Sequence, residues 1–533
     1  MKMKTIKAGL AALASALLLN IPGQAATNLV TSASMVAGTN YWRATNQYLL
    51  TEMVFVEAGE VLVIEPGTVI KGQTLPGLSG TAVPSLVVAR GGKIYAEGRA
   101  DAPIIFTAEN DDVNDPHDLG IYDRGLWGGV VLLGRAVINS AKDSAGNLAT
   151  PKYDVFEGLP DIENLRYGGA DDEDSSGVLR YVSIRHGGTS LEVNKEINGL
   201  TLGGVGRGTV VEHVEVYAND DDGVEFFGGA VNTKWLVSAF CDDDAFDTDE
   251  GYRGTNQFWF AIQAPTGNRN FGGEYAGSPV SPFNYLPLSD FRVYNATYLG
   301  AGAGNLVAKE NTGFDVKEDS AAKHYNSIFT DFANRGIKIQ NNALTRAQAG
   351  DIVFQNNLWW GFGTTANPNS VTNIAALNSE FLFTTPGYSN RIENPLLRGI
   401  SRTNNLGLDP RPQVGSPALT GVFPAGGGVV TPVDYLGAFD PYSGLWIDGW
   451  TALSHYGFLS TNAVSPKFQL AVGAGNINLG FGTTLGKTYQ LQSSGDLKTW
   501  ANEGAPFVGD GQPMLFQAPI NYQTNRYYRL IVP

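Results

Sequence analysis

Residues 214–263, VEVYANDDDGVEFFGGAVNTKWLVSAFCDDDAFDTDEGYRGTNQFWFAIQ, repeat an apolar rhythm and an acidic cluster at one common offset. Val214, Leu236 and Phe258 follow one another at intervals of 22 residues. The same offset joins Asp220 to Asp242, Asp221 to Asp243, Asp222 to Asp244, Val224 to Phe246 and Glu225 to Asp247. A period of this length, built from short β-rich pieces without a helical pattern, marks a solenoid of stacked coils. The stretch therefore predicts a parallel β-helix whose carboxylates lie one above another on its surface.

Working outward, the same grammar of apolar strand, Gly turn, apolar strand and Gly or Pro turn recurs. It is present in VFVEAGEVLVIEPGTVIKG (54–72), SLVVARGGKIYAEGRADAPIIFTAEND (85–111), LWGGVVLLGRAVIN (126–139), LRYVSIRHGG (179–188) and INGLTLGGVG (197–206). It continues through FRVYNATYLG (291–300), HYNSIFTDFANRGIKIQNN (324–342) and DIVFQNNLWWGFG (351–363), with Gly313-Phe314 and Gly336-Ile337 spaced by 23. Insertions at 110–125, 140–176, 264–290 and 364–398 interrupt it, and loops leaving a solenoid often shape its binding surface. The run Asp171-Asp172-Glu173-Asp174 in the second insertion reads as a solvated loop.

Residues 1–25 read as a secretory signal: Lys2, Lys4 and Lys7, an apolar run over 8–19, and Gly23-Gln24-Ala25 as a small-residue cleavage site. No cysteine follows the apolar run, which excludes a lipid-modified N-terminus, and no later segment approaches the roughly 20 apolar residues of a membrane span. The chain is expected outside the cytoplasm, whether extracellular, on the cell surface or periplasmic. Its formal charge of −16 grows more negative on loss of the three leader lysines. Such a surface repels nucleic acid and anionic membranes and suits divalent cations or neutral glycans. Cys241 is the single cysteine, so no internal disulfide forms, and it reads as a small buried residue. Nothing in the sequence sets an oligomeric state.

Proline and tryptophan are dense over 406–458, which reads as an aromatic cap closing the last coil. From 459 to 533 short alternating strands (FQLAV, NINLGF, TYQLQSS, PMLFQA, YYRLIV) predict a small β-sandwich of immunoglobulin or fibronectin type, with Trp500 in its core. The fold class is thus all-β, with a β-helix over 26–458 and a β-sandwich behind it.

IEPGTVIKG, VARGGKIYAEGRADAPIIFT, YVSIRHGG and ANDDDGVEFFGG, with the ending DPRPQVGSPAL, resemble the right-handed parallel β-helix repeat proteins exported by bacteria, the pectate-lyase-like solenoids. The likeness spans about 45–458. YQLQSSGDLKTW and NRYYRLIVP resemble a β-sandwich module found at the ends of large secreted bacterial proteins. The resemblance implies the fold. Its members range over polysaccharide lyases, polygalacturonase-type glycosidases, tailspikes and non-catalytic adhesins, so it names no single activity.

Strands stacked about 4.8 Å apart make two carboxylates repel by roughly 3 kcal/mol at an effective dielectric near 20. Something must compensate the acidic ladder. One solution is capping of turn amides with outward splay into water. Another is a calcium ion on Asp221, Asp243, Glu225, Asp249 and Glu250, since hard oxygen ligands suit it. The third is catalysis, with Asp222, Asp244 and Asp247 as the acidic set, His186 as a general base and Arg253 as a basic partner, Lys317, Arg335 and Lys338 being the other bases. The paired-Asp, Gly-His-Gly and Arg-Ile-Lys pattern of polygalacturonases is not matched: His186 precedes the aspartates, and Arg335 and Lys338 flank an additional glycine. For sugar contact the candidates are Trp359 and Trp360, adjacent so that one must face outward, with Tyr252 and Lys338. His213, alternating with Val214 and Val216, is expected to point outward. The leading expectation is a secreted or surface protein that contacts an extracellular polysaccharide or surface partner; the rivals are a lyase or glycoside hydrolase, and a purely structural surface protein.

Overall fold

Three rows of parallel strands stack into the expected solenoid, because each coil contributes one strand to a ten-stranded sheet and two to a seventeen-stranded sheet that folds around a bend. The computed structural model describes residues 26–140, 153–155, 159–192, 195–267, 271–303, 311–363, 369–376, 378–461, 469–473, 476–483, 487–509, 513–519 and 526–531. The leader at 1–25 and parts of the insertions 140–176, 264–290 and 364–398 lie outside them.

Register confirms the 22-residue coil where it was read: Val214 pairs with Leu236, Val224 with Phe246 and Glu225 with Asp247. It corrects the third step, since Leu236 pairs with Trp259 and not with Phe258. Phe227 pairs with Asp249 and Lys234 with Gln257, so the path from Asp249 to Gln257 holds one residue more than that from Phe227 to Lys234, which moves Phe258 to the bend. The insertion 264–290 is likewise two loops. Between them Phe271–Tyr275 pairs as a strand of the ten-stranded sheet.

Coils approach each other closely where several strands of the ten-stranded sheet begin. A Cβ on Gly223 would sit 2.6 Å from the Ala245 carbonyl, and one on Gly313 2.3 Å from the Gly336 carbonyl. Only the smallest residues fit there. Inside, one continuous core runs from Val30 to Leu382. Its centre stacks Phe246 on Trp259 at 4.3 Å and Phe226 on Tyr252 at 4.3 Å. Cys241 is buried as expected, and burial pushes its thiol up to about 11.

From the strand Gly177–Arg185 onward, each bend in the seventeen-stranded sheet is made by one residue in the left-handed region: Tyr181, His213, Trp235 and Phe258, then Asn295, Asn326 and Asn356. Asparagine adopts this conformation readily, whereas bulky residues rarely do. The aromatic side chains offset that cost by stacking outside the coil, Tyr181 on His213 at 4.3 Å and His213 on Trp235 at 4.5 Å. His213 does leave the solenoid wall, as its alternation implied, but it is covered, and burial depresses its pKa to about 3.

The cover is the segment read as an end cap. It does not close the last coil; it folds back along the bend. Asn356 donates to the Gly421 carbonyl, Asn326 and Phe423 exchange two hydrogen bonds, Gln257 and Thr431 exchange two, and Asn295 donates to the Tyr435 carbonyl. Trp446 and Trp450 then meet His213 edge-on. The left-handed bends turn amides and rings outward, and burying them needs a layer that a cap across the end would not supply. Glu215 fixes the far end of this strap. Fully buried, it accepts from Ser183 Oγ at 2.6 Å and from the amides of Ala452 and Leu453 at 2.6 and 3.3 Å.

The run 171–174 is solvated only at Asp171 and Glu173, and it is tied down as well. Asp172 takes Arg253 at 2.6 and 3.0 Å and the Val137 amide at 3.0 Å, Asp174 takes the Arg135 amide at 2.8 Å, and Glu173 pairs with Arg207. These contacts staple the second insertion to the coils. Beyond the strap, the described strands of 469–531 form two small antiparallel sheets with Phe481, Tyr489, Leu491 and Leu530 between them. Trp500 stands outside that core, under the Arg529 guanidinium at 4.2 Å.

Glu215→Ala leaves two buried amides without their acceptor, at about 1–3 kcal/mol for each orphaned group. The expected outcome is a lower denaturation midpoint and first proteolytic cleavage within 400–460. Unchanged protease resistance of that segment would show that the strap holds without Glu215.

Candidate functional site

Period two decides which side chains of the ten-stranded sheet leave the core. Register aligns the outward positions in one file: Thr201, Glu225, Asp247, Glu274, Asp315 and Lys338. A second file comes from the turns, three residues ahead of the strand position: Asn198, Asp222 and Asp244. Turns on both sides of this sheet carry the insertions, 110–125 and 263–270 before its strands, 140–176 and 276–291 after them.

Half of the capping expectation holds. Asp222 Oδ1 accepts the Asp244 amide at 2.8 Å, Asp244 Oδ1 accepts the Phe271 amide, and Asn198 donates to Glu225. Each aspartate thus ties its coil to the next. The carboxylates are nevertheless not splayed into water, since Asp222 is 7% exposed and Asp244 2%. One oxygen from each of Asp222, Asp244 and Asp247 lies within 4.8 Å of the others, and so do oxygens of Asp221, Asp222 and Asp243. Asp247 Oδ1 is shut off from solvent with no hydrogen-bond partner among the described residues.

Burial, reinforced by neighbouring carboxylates, drives the carboxyls of Asp222, Asp244, Asp247 and Glu225 well above the usual range. Asp249, beside Asp247, is raised by burial to about 7. Two ammonium groups serve the lower part of the file: Lys317 binds Glu274 at 2.6 Å, and Lys338 binds Asp315 at 3.2 Å while lying over the Phe271 ring. Buried itself, Lys317 has its pKa raised by Glu274 and Asp247, so it stays charged.

The structure therefore brings together Asp221, Asp222, Glu225, Asp243, Asp244, Asp247 and Asp249, with Lys338 further along the file. It separates the rest. Glu250 adopts a left-handed backbone that turns it out of the file, and its carboxylate accepts from Tyr167 OH at 3.0 Å. Arg253 is fastened to Asp172. His186 is fully buried with its ring edge-on to Tyr217 and Nδ1 2.5 Å from the Asp123 carbonyl; burial lowers its pKa. Tyr252 and Trp359 are core residues at 0% exposure, which removes both as sugar platforms, while Trp360 is the partly exposed member of its pair.

Glu274, Asp315 and Asn198 were not among the expected site residues. Insertions stretch the offset from Asp247 to Glu274 and then to Asp315, so the 22-residue search misses them. A local signature finds them: the triplets Gly199-Leu200-Thr201, Gly223-Val224-Glu225, Ala245-Phe246-Asp247, Gly272-Gly273-Glu274, Gly313-Phe314-Asp315 and Gly336-Ile337-Lys338 each end at an outward position.

A family model described as a pectate-lyase-like β-helix domain matches residues 34–390, which takes in the whole acidic file. No curated protein matches the chain.

Carboxyls raised in the folded state confer stability that is complete below about pH 4, where the unfolded chain is protonated too. That stability is lost as pH rises through the folded values, near 7 for Asp249. In chelator, the melting temperature is therefore expected to fall from pH 5 to pH 8, and Asp247→Asn to flatten the fall. A melting temperature that climbs over this interval would contradict the raised carboxyls.

Proposed function

The chain belongs to the pectate-lyase-like β-helix family, and from that membership together with the carboxylate cluster we propose a protein that contacts extracellular glycan through the ten-stranded face, with calcium held by Asp222, Asp244 and Asp247. The cluster is the observation that carries this reading. Calcium–oxygen bonds run about 2.3–2.6 Å, so oxygens on opposite sides of one ion stand about as far apart as the 4.8 Å limit within which these three gather. Two positive charges would offset the burial and mutual repulsion that raise these carboxyls, and the Asp247 Oδ1 would gain a partner. An ion at this outward position keeps coordination sites for glycan hydroxyl or carboxylate oxygens. Export rests on the leader-like pattern of residues 1–25.

Binding is favoured over cleavage by what surrounds the cluster. Lyase chemistry needs a base that can give up its proton, yet Lys317 is held charged by Glu274 and Asp247. Arg253 and His186 are engaged elsewhere. One observation supports a hydrolytic reading beside it, a carboxyl raised by burial to about 7 at Asp249, in the range a general acid needs.

Calcium is expected to raise the melting temperature at pH 8 by several degrees over chelated protein, and Asp247→Asn to abolish most of that shift. Glycan retention on an array should follow the same calcium dependence without release of product. The absence of a calcium shift sinks the cation site. New reducing ends would replace binding by hydrolysis, and an ultraviolet-absorbing unsaturated uronate would replace it by elimination.

A further inference from the structure

Around the corner from the acidic file, a cavity of about 320 Å³ opens where the insertion 110–125 meets the strap. The two sites share one turn: Tyr217, which ends the strand Val210–Tyr217, lines the cavity, and Asp221 and Asp222 follow on the other side. Tyr217 is 1% exposed, and its hydroxyl has no hydrogen-bond partner among the described residues. Its ring packs at 5.3 Å against Tyr456, whose hydroxyl accepts from Arg185 at 3.4 Å and keeps its own proton to donate. Phe458 extends this aromatic wall, and Tyr122, 48% exposed, stands at the rim with its hydroxyl held by Thr266. Asn404, Arg402 and the His117 imidazole also line it.

The chemistry of the lining selects a class of ligand. No carboxylate lines the cavity, and its one guanidinium, Arg402, turns Nε and Nη2 to Asp331 and the Gly300 carbonyl. The insertion that forms one wall carries Asp112, Asp115, Asp118 and Asp123, which repel an anion. A cation finds no counter-charge inside. The half-exposed ring of Tyr122 beside the Tyr217 and Tyr456 hydroxyls and the Asn404 amide suits a small ring with an apolar face and a hydroxyl edge, and the volume sits at the lower end of small-ligand pockets, roughly 300–1,000 Å³.

We propose that this cavity is a subsite for one uncharged sugar ring, bound without a cation. The subsite is independent of the acidic file and stands or falls separately from it. Isothermal titration of the full chain in chelator, with the methyl glycosides of glucose, galactose, mannose and xylose and with galacturonate, tests it. At least one neutral glycoside is expected to bind saturably, with affinity unchanged in Asp247→Asn. Tyr122→Ala, at the exposed rim, should weaken it about tenfold and Tyr217→Phe about fivefold, both with the melting temperature of the parent protein. Failure of all four neutral glycosides to bind overturns the proposal. So does full affinity in Tyr122→Ala, tighter binding of galacturonate, or binding that needs calcium.

Discussion

A strand spacing of about 4.8 Å makes every residue in this solenoid the neighbour of its equivalent one coil away. Where the stacked residues pack well, the stacking is stabilising: glycines meet carbonyls at the start of several strands of the ten-stranded sheet, and aromatic rings stack through the centre. Where like repels like, the same geometry creates a demand. Asp222, Asp244 and Asp247 are its sharpest case, because the backbone that positions them cannot relax without breaking the ladder on either side. The fold thus concentrates unmet charge at one place on an otherwise ordinary sheet face.

The bends impose a second constraint. Bulky residues in a left-handed conformation, with rings outside the coil, leave an apolar corner that a bare solenoid would expose to water. The strap answers that constraint, and in lying down it builds the seam occupied by Tyr217, Tyr456 and Arg402. One side of the turn at 218–223 therefore meets buried carboxylates and the other an aromatic cavity. Both follow from packing requirements of the coil: Asp247 and Tyr217 stand on regular strands, while Asp222, Asp244 and the rest of the cavity lining come from turns and loops packed against them.

Charge compensation divides the acidic file into two regimes. Glu274 and Asp315 have their ammonium partners in Lys317 and Lys338, and the file is locally neutral there. Above them, around Asp222 and Asp244, amide capping satisfies one oxygen of each aspartate and leaves the carboxyl group raised. Turn capping engages Oδ1 of Asp222 and of Asp244, and the proposed cation site would draw on the same two side chains together with Asp247.

The sequence alone determined the coil period, the parallel stacking and the outward acidic positions at Glu225 and Asp247, because these depend on residues a fixed offset apart and on period-two alternation. It also carried Glu274 and Asp315 in the small–apolar–polar triplets, hidden only by the insertions that stretch the offset. Tertiary structure decided everything that depends on which corner a turn faces. It buried Trp359 and Tyr252, tied Arg253 to Asp172, turned Glu250 aside and aimed His186 at Tyr217. It also laid residues 421–456 along the bend instead of across the end. A left-handed residue or a one-residue change in a turn redirects a side chain without altering the apolar rhythm around it, and the partners that hold it there are distant in the chain.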